Sequence, residues 1–475
     1  MPATDWKRTI AVIGAGTMGV GIAQLAASHG HIVLLHDVAP DAACKAKAGL
    51  SQRLDSRVER GKMTADDAKA LLDRIRPVAD LADLAEAGLV IEAIVEDLTV
   101  KQKVFAELEK IVATDAILAT NTSSISVTSI ARVLAAPGRM VGMHFFNPAP
   151  VMKLVEVVSG RATAPEVAQT VFDLAGNWGK VAVHAQSTPG FIVNRVARPF
   201  YAEALRLFEE KVATPVMLDA LMTEGGGFRM GPFALMDLIG NDVNYAVSQS
   251  VFEAFYHDPR FRPSLAQMEL VNAGHLGRKS GRGFYDYAKG APPPVAQTLP
   301  ADPALVQPAP IDPGQPCVIE GTHIIQSDGR LAREIARDRG APVMVLDLLN
   351  SDGPAQRLGF AISPDVPQDV VARVTATLQG QGTACTPLPD WPGLVVMRTV
   401  AMLANEGFEA VLQGVASESD VDTAMRFGVN YPNGPIEWAR EIGLGRVLAV
   451  LDNLHSLTGD PRYRASLGLR MAAME

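Results

Sequence analysis

Short apolar runs alternate with amphipathic stretches over residues 1–187, which predicts strands separated by helices in an α/β domain. The segment between Pro40 and Pro77 is highly charged and predicts a helical hairpin that projects from the sheet. From Thr188 to residue 290 the pattern is helical throughout. The runs with strand character are residues 8–13, 32–35, 89–94, 116–119 and 180–186.

The pattern changes again after residue 290. Residues 292–316 carry nine prolines, which predicts a semi-rigid linker. Beyond the linker, strand-like runs and helical runs predict a small α/β unit that has no glycine-rich nucleotide motif. The strand-like runs are 317–320, 343–348 and 358–362, and the helical runs lie near 329–338 and 367–378.

The last part of the chain repeats the first helical segment. A shift of 203 positions, which brings Gly434 onto Gly231, aligns the two segments without a gap. The same shift pairs Pro392-Gly393 with Pro189-Gly190, Arg398 with Arg195, Glu406 with Glu203, Asp422 with Asp219, Met425 with Met222 and Ile442-Gly443 with Ile239-Gly240. Met397 replaces Asn194 in the second copy. We therefore expect the second copy to keep its packing and to lack this polar group.

A glycine motif follows the first predicted strand. It consists of Gly14, Ala15, Gly16, Thr17, Met18 and Gly19, and it precedes a helix, a second strand and Asp37. Strand, glycine turn, helix, strand and acid form the dinucleotide-binding fingerprint, in which the helix N-terminus binds the pyrophosphate. An acid at the second strand accepts hydrogen bonds from the ribose hydroxyls and repels a 2′-phosphate, which favours NAD over NADP.

Polar residues follow two further strands, at the edge where open α/β sheets bind ligands. Glu96 and Lys101 follow the strand at 89–94. Asn121, Thr122, Ser123 and Ser124 follow the strand at 116–119, which is more than helix capping requires.

The stretch from Gly142 to Val158 holds the most informative polar pair. It is apolar apart from a few residues, and prolines interrupt its centre near residue 150. His144 and Glu156 lie six positions on either side of that centre, so they could face each other across two antiparallel strands. A carboxylate next to an imidazole fixes its tautomer and stabilises its protonated form, as in a general base. The alternative is a buried structural ion pair.

Composition mainly excludes classes of function. The chain has 475 residues, is 48% hydrophobic and 20% charged, and has no apolar run of eighteen residues, which predicts a globular protein without a membrane span. A net charge of −9 gives no general attraction to nucleic acid or anionic membranes. Three cysteines without metal-ligand spacing predict no metal site and fit a reducing cytoplasm. Since Met1–Thr9 is too short for a signal peptide, we expect a cytoplasmic protein.

Seven motifs occur in order within the first 290 residues. They are Val12–Gly19, Glu92–Asp97, Asn121–Ser124, His144–Pro148, Lys153–Val158, Pro189–Arg195 and Gly281–Tyr285. Together they resemble the motifs of the 3-hydroxyacyl-CoA dehydrogenase family. The linker, the small α/β unit and the second helical copy resemble the longer bacterial form of this family, some members of which oxidise 3-hydroxyadipyl-CoA in phenylacetate breakdown.

The resemblance implies an α/β Rossmann-type NAD-binding domain, an all-α domain, a small degenerate Rossmann-like unit and a second copy of the all-α domain. We place these domains at residues 1–187, 188–290, 317–388 and 389–475, with the proline-rich linker at 291–316. Family members with one helical unit dimerise through it. A chain with two copies could be a monomer with an internal pseudo-dimer, or a homodimer.

The resemblance also implies roles for the residues of the reacting centre. His144 would take the proton of the 3-hydroxyl group, and Glu156 would orient and stabilise it. Ser123 and Asn194 would hydrogen-bond the hydroxyl or the thioester carbonyl of the substrate, with Asn147 in support.

The cofactor and coenzyme A have candidate residues as well. Glu96 and Lys101 would lie near the nicotinamide ribose and the substrate, and Asn121 belongs with the cofactor-binding residues. Coenzyme A is bound on the projecting hairpin in this family, where Arg53 and Arg60 are the candidates.

The implied activity is NAD-dependent oxidation of an (S)-3-hydroxyacyl-CoA thioester to the 3-oxoacyl-CoA, in fatty-acid β-oxidation or phenylacetate breakdown. A dehydrogenase of a free hydroxy acid, such as a sugar acid, would place an Arg or Lys beside the base, whereas Phe145, Phe146 and Pro148 follow His144. A non-catalytic NAD-binding protein would have lost some of the four reacting-centre residues, which the first copy retains. Because the fingerprint begins at Gly14, we expect no hydratase domain upstream.

Overall fold

The computed structural model describes residues 8–350 and 356–475. Two compact units make up the chain. The first comprises residues up to Val193 and Gly414–Val429, and the second comprises Asn194–Gln413 and Asn430–Glu475. The N-terminal segment before Arg8 lies outside the described residues. In the part of the chain that is described, no helix has the length and apolar character needed to cross a membrane.

The first unit is built on one eight-stranded sheet. Its strands are β1 (Ile10–Ile13), β2 (Val33–His36), β3 (Ile75–Val78), β4 (Leu89–Glu92), β5 (Ile117–Thr120), β6 (Met140–Phe145), β7 (Leu154–Ser159) and β8 (Val181–Gln186). The strand order is β3-β2-β1-β4-β5-β6-β7-β8, and only β6 and β7 are antiparallel. The connecting helices are α1 (Thr17–Ser28), α2 (Ala42–Glu59), α3 (Ala65–Arg74), α4 (Leu98–Ile111), α5 (Val127–Ala131) and α6 (Pro165–Asn177).

Burial explains why this half of the chain was predictable. Strands β1 and β4 are buried on both faces, as a parallel sheet covered by helices requires. The helical hairpin predicted between Pro40 and Pro77 is confirmed as α2 and α3. Strand β3 was missed because Arg76 and Pro77 interrupt its apolar character, and a sheet edge tolerates proline.

The first helical copy begins at the end of the first unit and continues in the second. Its helices are α7 (Val193–Val196), α8 (Arg198–Glu209), α9 (Pro215–Ala220), α10 (Pro232–Ile239), α11 (Asn241–Ala254) and α12 (Leu265–Asn272), with a π-helical turn at Leu221–Gly225. The small α/β unit follows, with β9 (Cys317–Ile319), β10 (Thr322–Gln326), α13 (Ala332–Arg339), β11 (Val343–Leu346), β12 (Gln356–Ile362), α14 (Gln368–Gly380) and β13 (Thr383–Pro387). The second helical copy comprises α15 (Val396–Leu412), α16 (Glu418–Gly428), α17 (Pro435–Ile442), α18 (Leu444–Thr458) and α19 (Leu467–Ala472).

The five strands of the small unit form a sheet in the order β13-β12-β11-β10-β9. The three strands predicted there are confirmed. Strand β10 was missed because Thr, His and Gln interrupt its apolar pattern, and β13 because Thr and Pro interrupt its own. The 203-residue repeat extends into this sheet: α14 repeats α6, and the pairing of Val345 with Ala361 repeats that of Gly142 with Val158. The small sheet is therefore a reduced copy of the second half of the large one.

Within the second unit, the two helical copies contact each other through reciprocal ion pairs. Arg195 Nε lies 2.6 Å from Glu406 Oε1, and Arg398 Nε lies 2.6 Å from Glu203 Oε2. The 203-residue shift converts the first pair into the second, and all four side chains are buried. Reciprocal contacts between equivalent residues are typical of a two-fold interface, here formed inside one chain.

One helix of the second copy belongs to the first unit. Helix α16 packs on β7 and β8, although the sequence boundaries placed it with residues 389–475. A Cβ at Gly428 would lie 2.6 Å from Leu154 Cδ2 and 3.0 Å from Val193 Cγ2, so this close approach depends on glycine. Helix α16 of the second copy thus covers β8 and β7, the strand that carries Glu156.

Candidate active site

His144 and Glu156 are paired across β6 and β7, as the spacing about residue 150 predicted. His144 Nδ1 lies 2.6 Å from Glu156 Oε2, and Glu156 is fully buried. The other carboxylate oxygen, Oε1, accepts hydrogen bonds from the backbone N–H groups of Ile192 (3.0 Å) and Val193 (2.9 Å). A carboxylate held in this way keeps the proton on Nδ1, so Nε2 is the nitrogen that can accept a proton.

Two aromatic rings lie beside the imidazole, and a side-chain amide binds the backbone next to it. The Phe146 and Phe191 rings lie 4.6 and 5.8 Å from its centroid. Asn121 Oδ1 accepts a hydrogen bond of 2.8 Å from the backbone N–H of Phe145, beside His144. Asn121, predicted among the cofactor-binding residues, therefore braces the strand that carries the base candidate.

Glu96 organises the turn of hydroxyl residues that follows β5. Its Oε1 accepts hydrogen bonds from Thr122 Oγ1 (2.6 Å), the Ser123 N–H (3.0 Å) and Ser124 Oγ (3.0 Å). Burial opposes ionisation of Glu96, but the Thr122 hydroxyl, the Lys101 ammonium and the Ser124 hydroxyl outweigh it and lower the pKa of this carboxyl group. Ser123 is consequently fixed at the carboxyl edge of the sheet.

Lys101 lies inside this network. It is 1% exposed, and its Nζ lies 2.6 Å from Glu92 Oε1 and 3.2 Å from Glu96 Oε2. Thr120 donates a hydrogen bond of 2.7 Å to the second oxygen of Glu92. Lys101 therefore positions Glu96 from within the protein. The roles of Glu92 and Thr120 were missed, although a carboxylate inside an apolar strand was a signal for them.

The glycine turn has the shape that a dinucleotide requires. A Cβ at Gly14 would lie 2.4 Å from a backbone oxygen, and one at Gly19 would lie 1.8 Å from the Gly14 oxygen, whereas one at Gly16 would meet no atom within 4 Å. Asp37 Oδ2 accepts a hydrogen bond of 2.7 Å from the Ala15 N–H, which places this carboxylate beside the turn. Gly16 thus leaves open space where the fingerprint places the pyrophosphate.

The N-terminus of α1 completes the nucleotide cradle. Gly16 and Thr17 are exposed there, and no side chain caps the helix. The N–H groups of the first turn can therefore bind a phosphate. Met18 is half-buried and packs against the core of the sheet.

A basic cavity of about 740 Å³ adjoins the glycine turn. Lys45, Arg53 and Arg57 line it from α2, and Asn147 lies on its other wall. Arg53 was predicted as a coenzyme A contact, whereas Arg60 lies at the end of α2, outside this lining. Lys45 and Arg57 were not among the coenzyme A candidates, and their spacing of four-residue steps from Arg53 places all three on one helical face.

Comparison with known proteins assigns the family. The model for the NAD-binding domain of 3-hydroxyacyl-CoA dehydrogenase matches residues 9–188, and the model for its C-terminal domain matches twice, at 190–287 and 393–475. The chain belongs to the 3-hydroxyacyl-CoA dehydrogenase family. The reduced Rossmann-fold domain of 3-hydroxybutyryl-CoA dehydrogenase matches residues 324–392. The predicted NAD cofactor, oxidoreductase class and domain types of this dehydrogenase family are thereby confirmed.

Two curated relatives illustrate the long and short forms of the family. A 3-hydroxyadipyl-CoA dehydrogenase of Escherichia coli K12 is 47% identical over 469 residues, which is 98% of each chain. A probable 3-hydroxybutyryl-CoA dehydrogenase of Bacillus subtilis is 44% identical over 280 residues, which is 59% of this chain and 97% of that one. A crystal structure of a 3-hydroxybutyryl-CoA dehydrogenase from Escherichia coli K12 matches with a TM-score of 0.94 at 47% identity and covers 98% of both chains.

The reduced Rossmann domain of this dehydrogenase-family chain lacks the base candidate. Asp347 and Gly359 occupy the positions of His144 and Glu156 after the 203-residue shift. The Asp347 carboxylate accepts the N–H groups at the start of α15, from Val395 (3.0 Å), Val396 (2.9 Å) and Met397 (2.9 Å). The repeat has therefore kept a carboxylate that anchors the helix and has no imidazole beside it.

Asn147 and Asn194 are the remaining predicted residues. Asn147 lines the basic cavity. Asn194 opens the second unit, directly after the residue whose N–H binds Glu156. The covalent connection therefore ties the start of this helical copy to the His144–Glu156 pair.

Proposed function

We propose that this chain oxidises the 3-hydroxyl group of (S)-3-hydroxyacyl-CoA thioesters with His144 as the general base. The 2.6 Å contact between His144 Nδ1 and the fully buried Glu156 carboxylate is the observation that carries the proposal. Because the Escherichia coli relative that matches over its whole length is named for 3-hydroxyadipyl-CoA, we propose that compound as the physiological substrate.

The residues of the pair divide the handling of the proton. When bound, NAD would supply the acceptor for the hydride that leaves C3 of the substrate. The hydroxyl O–H bond breaks as Nε2 of His144 takes the proton, and Glu156 stabilises the resulting imidazolium through Nδ1–H. The two backbone donors at Ile192 and Val193 hold Glu156 in place during this transfer.

The substrate oxygens have candidate donors next to the pair. Ser123 is fixed by Glu96 at the carboxyl edge of the sheet, and Asn194 follows the Glu156 anchor. We propose that both hydrogen-bond the 3-hydroxyl group or the thioester carbonyl, with Asn147 in support. Such contacts align the reacting atoms, which contributes strongly to hydride transfer.

The basic cavity is the proposed site for the phosphates of coenzyme A. Lys45, Arg53 and Arg57 give it three cations in a protein of net charge −9, so the attraction is local. Replacing Arg53 and Arg57 with methionine should raise KM for an acyl-CoA by roughly 10- to 100-fold and leave kcat nearly unchanged. Arg60→Met is the matched control from the same helix. An equal KM change in that control would contradict this placement.

Steady-state kinetics with NAD test the proposed activity. Acetoacetyl-CoA in the reverse direction, 3-hydroxybutyryl-CoA, longer 3-hydroxyacyl-CoAs and 3-hydroxyadipyl-CoA form the substrate series, with a free 3-hydroxy acid as the comparison. We expect turnover of the thioesters and little of the free acid. Turnover restricted to the free acid would refute the proposal.

We also propose that the chain functions as a monomer. The reciprocal ion pairs already occupy a pseudo-two-fold contact within the chain, so a second chain is not needed to form it. Light scattering should then give a mass near 50.5 kDa, and twice that value would indicate a homodimer.

A further inference from the structure

Arg198 is a buried arginine without an acidic partner. It is 6% exposed and lies at the start of α8. Its Nη1 donates a hydrogen bond of 3.2 Å to Ser248 Oγ, and its Nε has no acceptor. Among residues 8–350 and 356–475, no carboxylate lies within 4 Å of its guanidinium nitrogens. By contrast, the buried Arg195 and Arg398 each contact a buried glutamate.

Its surroundings are polar but contain no negative charge to balance it. The Tyr201 ring lies 5.0 Å from the guanidinium carbon, and the nearby Tyr431 hydroxyl is buried without a hydrogen-bond partner. Burial of the guanidinium lowers the pKa of Arg198. An unpaired buried cation is costly, so these groups favour an anion that binds from outside.

A cavity gives such an anion room. Arg198, Tyr201 and Ser248 line a space of about 260 Å³. Its other charged lining residues are Arg206, Glu209, Glu210, Arg260, Arg262 and Arg462. Both acids already accept a hydrogen bond within the protein, Glu209 from Ser264 Oγ (2.6 Å) and Glu210 from Trp391 Nε1 (2.9 Å). The other four arginines of the lining each lie within 4 Å of a carboxylate of Asp460, Asp258, Glu406 or Glu203, so Arg198 is the guanidinium group left for a bound carboxylate.

The repeat shows that the helical fold does not need this arginine. At the 203-residue shift Ala401 replaces Arg198, just as Met397 replaces Asn194. The buried arginines that pair the two copies, Arg195 and Arg398, are present in both. Arg198 and Asn194 thus occur together in the helical copy that follows the His144–Glu156 pair. Neither occurs in the second copy, which follows a domain without that pair.

We propose that Arg198 binds the terminal carboxylate of a dicarboxylic acyl chain and makes the enzyme selective for 3-hydroxyacyl-CoAs of that class, such as 3-hydroxyadipyl-CoA. This inference rests on the proposed function. Asn194 in α7 and Arg198 at the start of α8 are four residues apart, and because Ala197 between them has helical backbone angles, their Cα atoms lie about 6 Å apart. In an adipyl chain the terminal carboxyl carbon lies three bonds beyond the carbon that bears the 3-hydroxyl group, a span that the arginine side chain can bridge.

The test compares two six-carbon substrates that differ at the far end. The quantities are kcat/KM for 3-hydroxyadipyl-CoA and for 3-hydroxyhexanoyl-CoA, measured for the wild type, Arg198→Met and Arg198→Lys. We expect the wild type to prefer the adipyl compound and Arg198→Met to lose roughly 10- to 100-fold on it, with little change on the hexanoyl compound. Arg198→Lys should retain part of the preference. Arg229→Met, at an exposed arginine that does not line this cavity, is the control and should change neither value.

The outcomes separate this inference from the activity itself. A wild type that prefers the hexanoyl compound would overturn the role of Arg198 and leave the dehydrogenase activity standing. Equal losses on both substrates in folded Arg198→Met would make Arg198 a structural residue and overturn the inference as well. If Arg198→Met does not fold, the substrate preferences of the wild type and of Arg198→Lys test the inference instead. A wild type inactive on both substrates would refute the proposed function.

Discussion

Replacing Glu156 with glutamine should disable the base and leave the cofactor site intact. Glu156 is fully buried, and its Oε2 lies 2.6 Å from His144 Nδ1. Two unit charges about 4 Å apart attract each other by about 4 kcal/mol at an effective dielectric constant of 20. Losing that attraction to the imidazolium corresponds to roughly a thousandfold in rate.

The amide also disturbs the hydrogen bonds of the pair. If its oxygen continues to accept from Ile192 and Val193, its NH2 group faces Nδ1 and favours the tautomer protonated on Nε2, which cannot accept the substrate proton. We therefore expect kcat to fall about 10³- to 10⁴-fold in Glu156→Gln, with the Kd of NAD nearly unchanged. Stopped-flow reduction of NAD and NAD titration measure the two quantities.

Asp347→Asn is the matched control, because Asp347 anchors a helix start in the second half without an imidazole beside it. Leaving backbone N–H groups poorly satisfied should cost about 1–3 kcal/mol of the free energy of unfolding and leave kcat unchanged. Glu156 does not support a general base if Glu156→Gln keeps more than about a tenth of wild-type kcat, or if Asp347→Asn loses as much turnover as Glu156→Gln.

Three further substitutions test the contact between the helical copies and their divided roles. Glu203→Gln removes the carboxylate 2.6 Å from the buried Arg398 and leaves it Glu210 at 3.6 Å, so denaturant unfolding should show a loss of about 3–5 kcal/mol. A loss under about 1 kcal/mol would contradict the importance of the reciprocal pairs. Asn194→Ala should reduce kcat at nearly constant Tm, whereas Met397→Ala should lower the free energy of unfolding by about 2–5 kcal/mol and spare kcat. Loss of turnover in Met397→Ala alone would show that the roles are assigned to the wrong copies.

The sequence predicted the parts of the site that depend on local pattern. The glycine turn follows from residue spacing, and the facing of His144 and Glu156 follows from their equal distances to a proline-interrupted centre. Both features are set within a short stretch of chain, where the alternation of strands and turns determines the geometry. The 203-residue repeat was likewise visible as aligned residue types.

Features that depend on distant contacts were not predicted. Lys101 is enclosed by Glu92 and Glu96, which no helical or strand pattern reveals. Helix α16 packs on β7 and β8 because Gly428 permits close approach to residues that are far away in sequence. The unpaired state of Arg198 is also a tertiary property, because a sequence shows an arginine but not which acids lie near it.

Substitution of His144 by glutamine tests whether this imidazole is the general base. Glutamine retains hydrogen-bonding groups at this position but cannot accept the substrate proton. We predict that His144→Gln binds NAD with nearly wild-type Kd, while kcat for a 3-hydroxyacyl-CoA falls by several orders of magnitude. A folded His144→Gln enzyme that retains about a tenth of wild-type kcat would show that another group is the base.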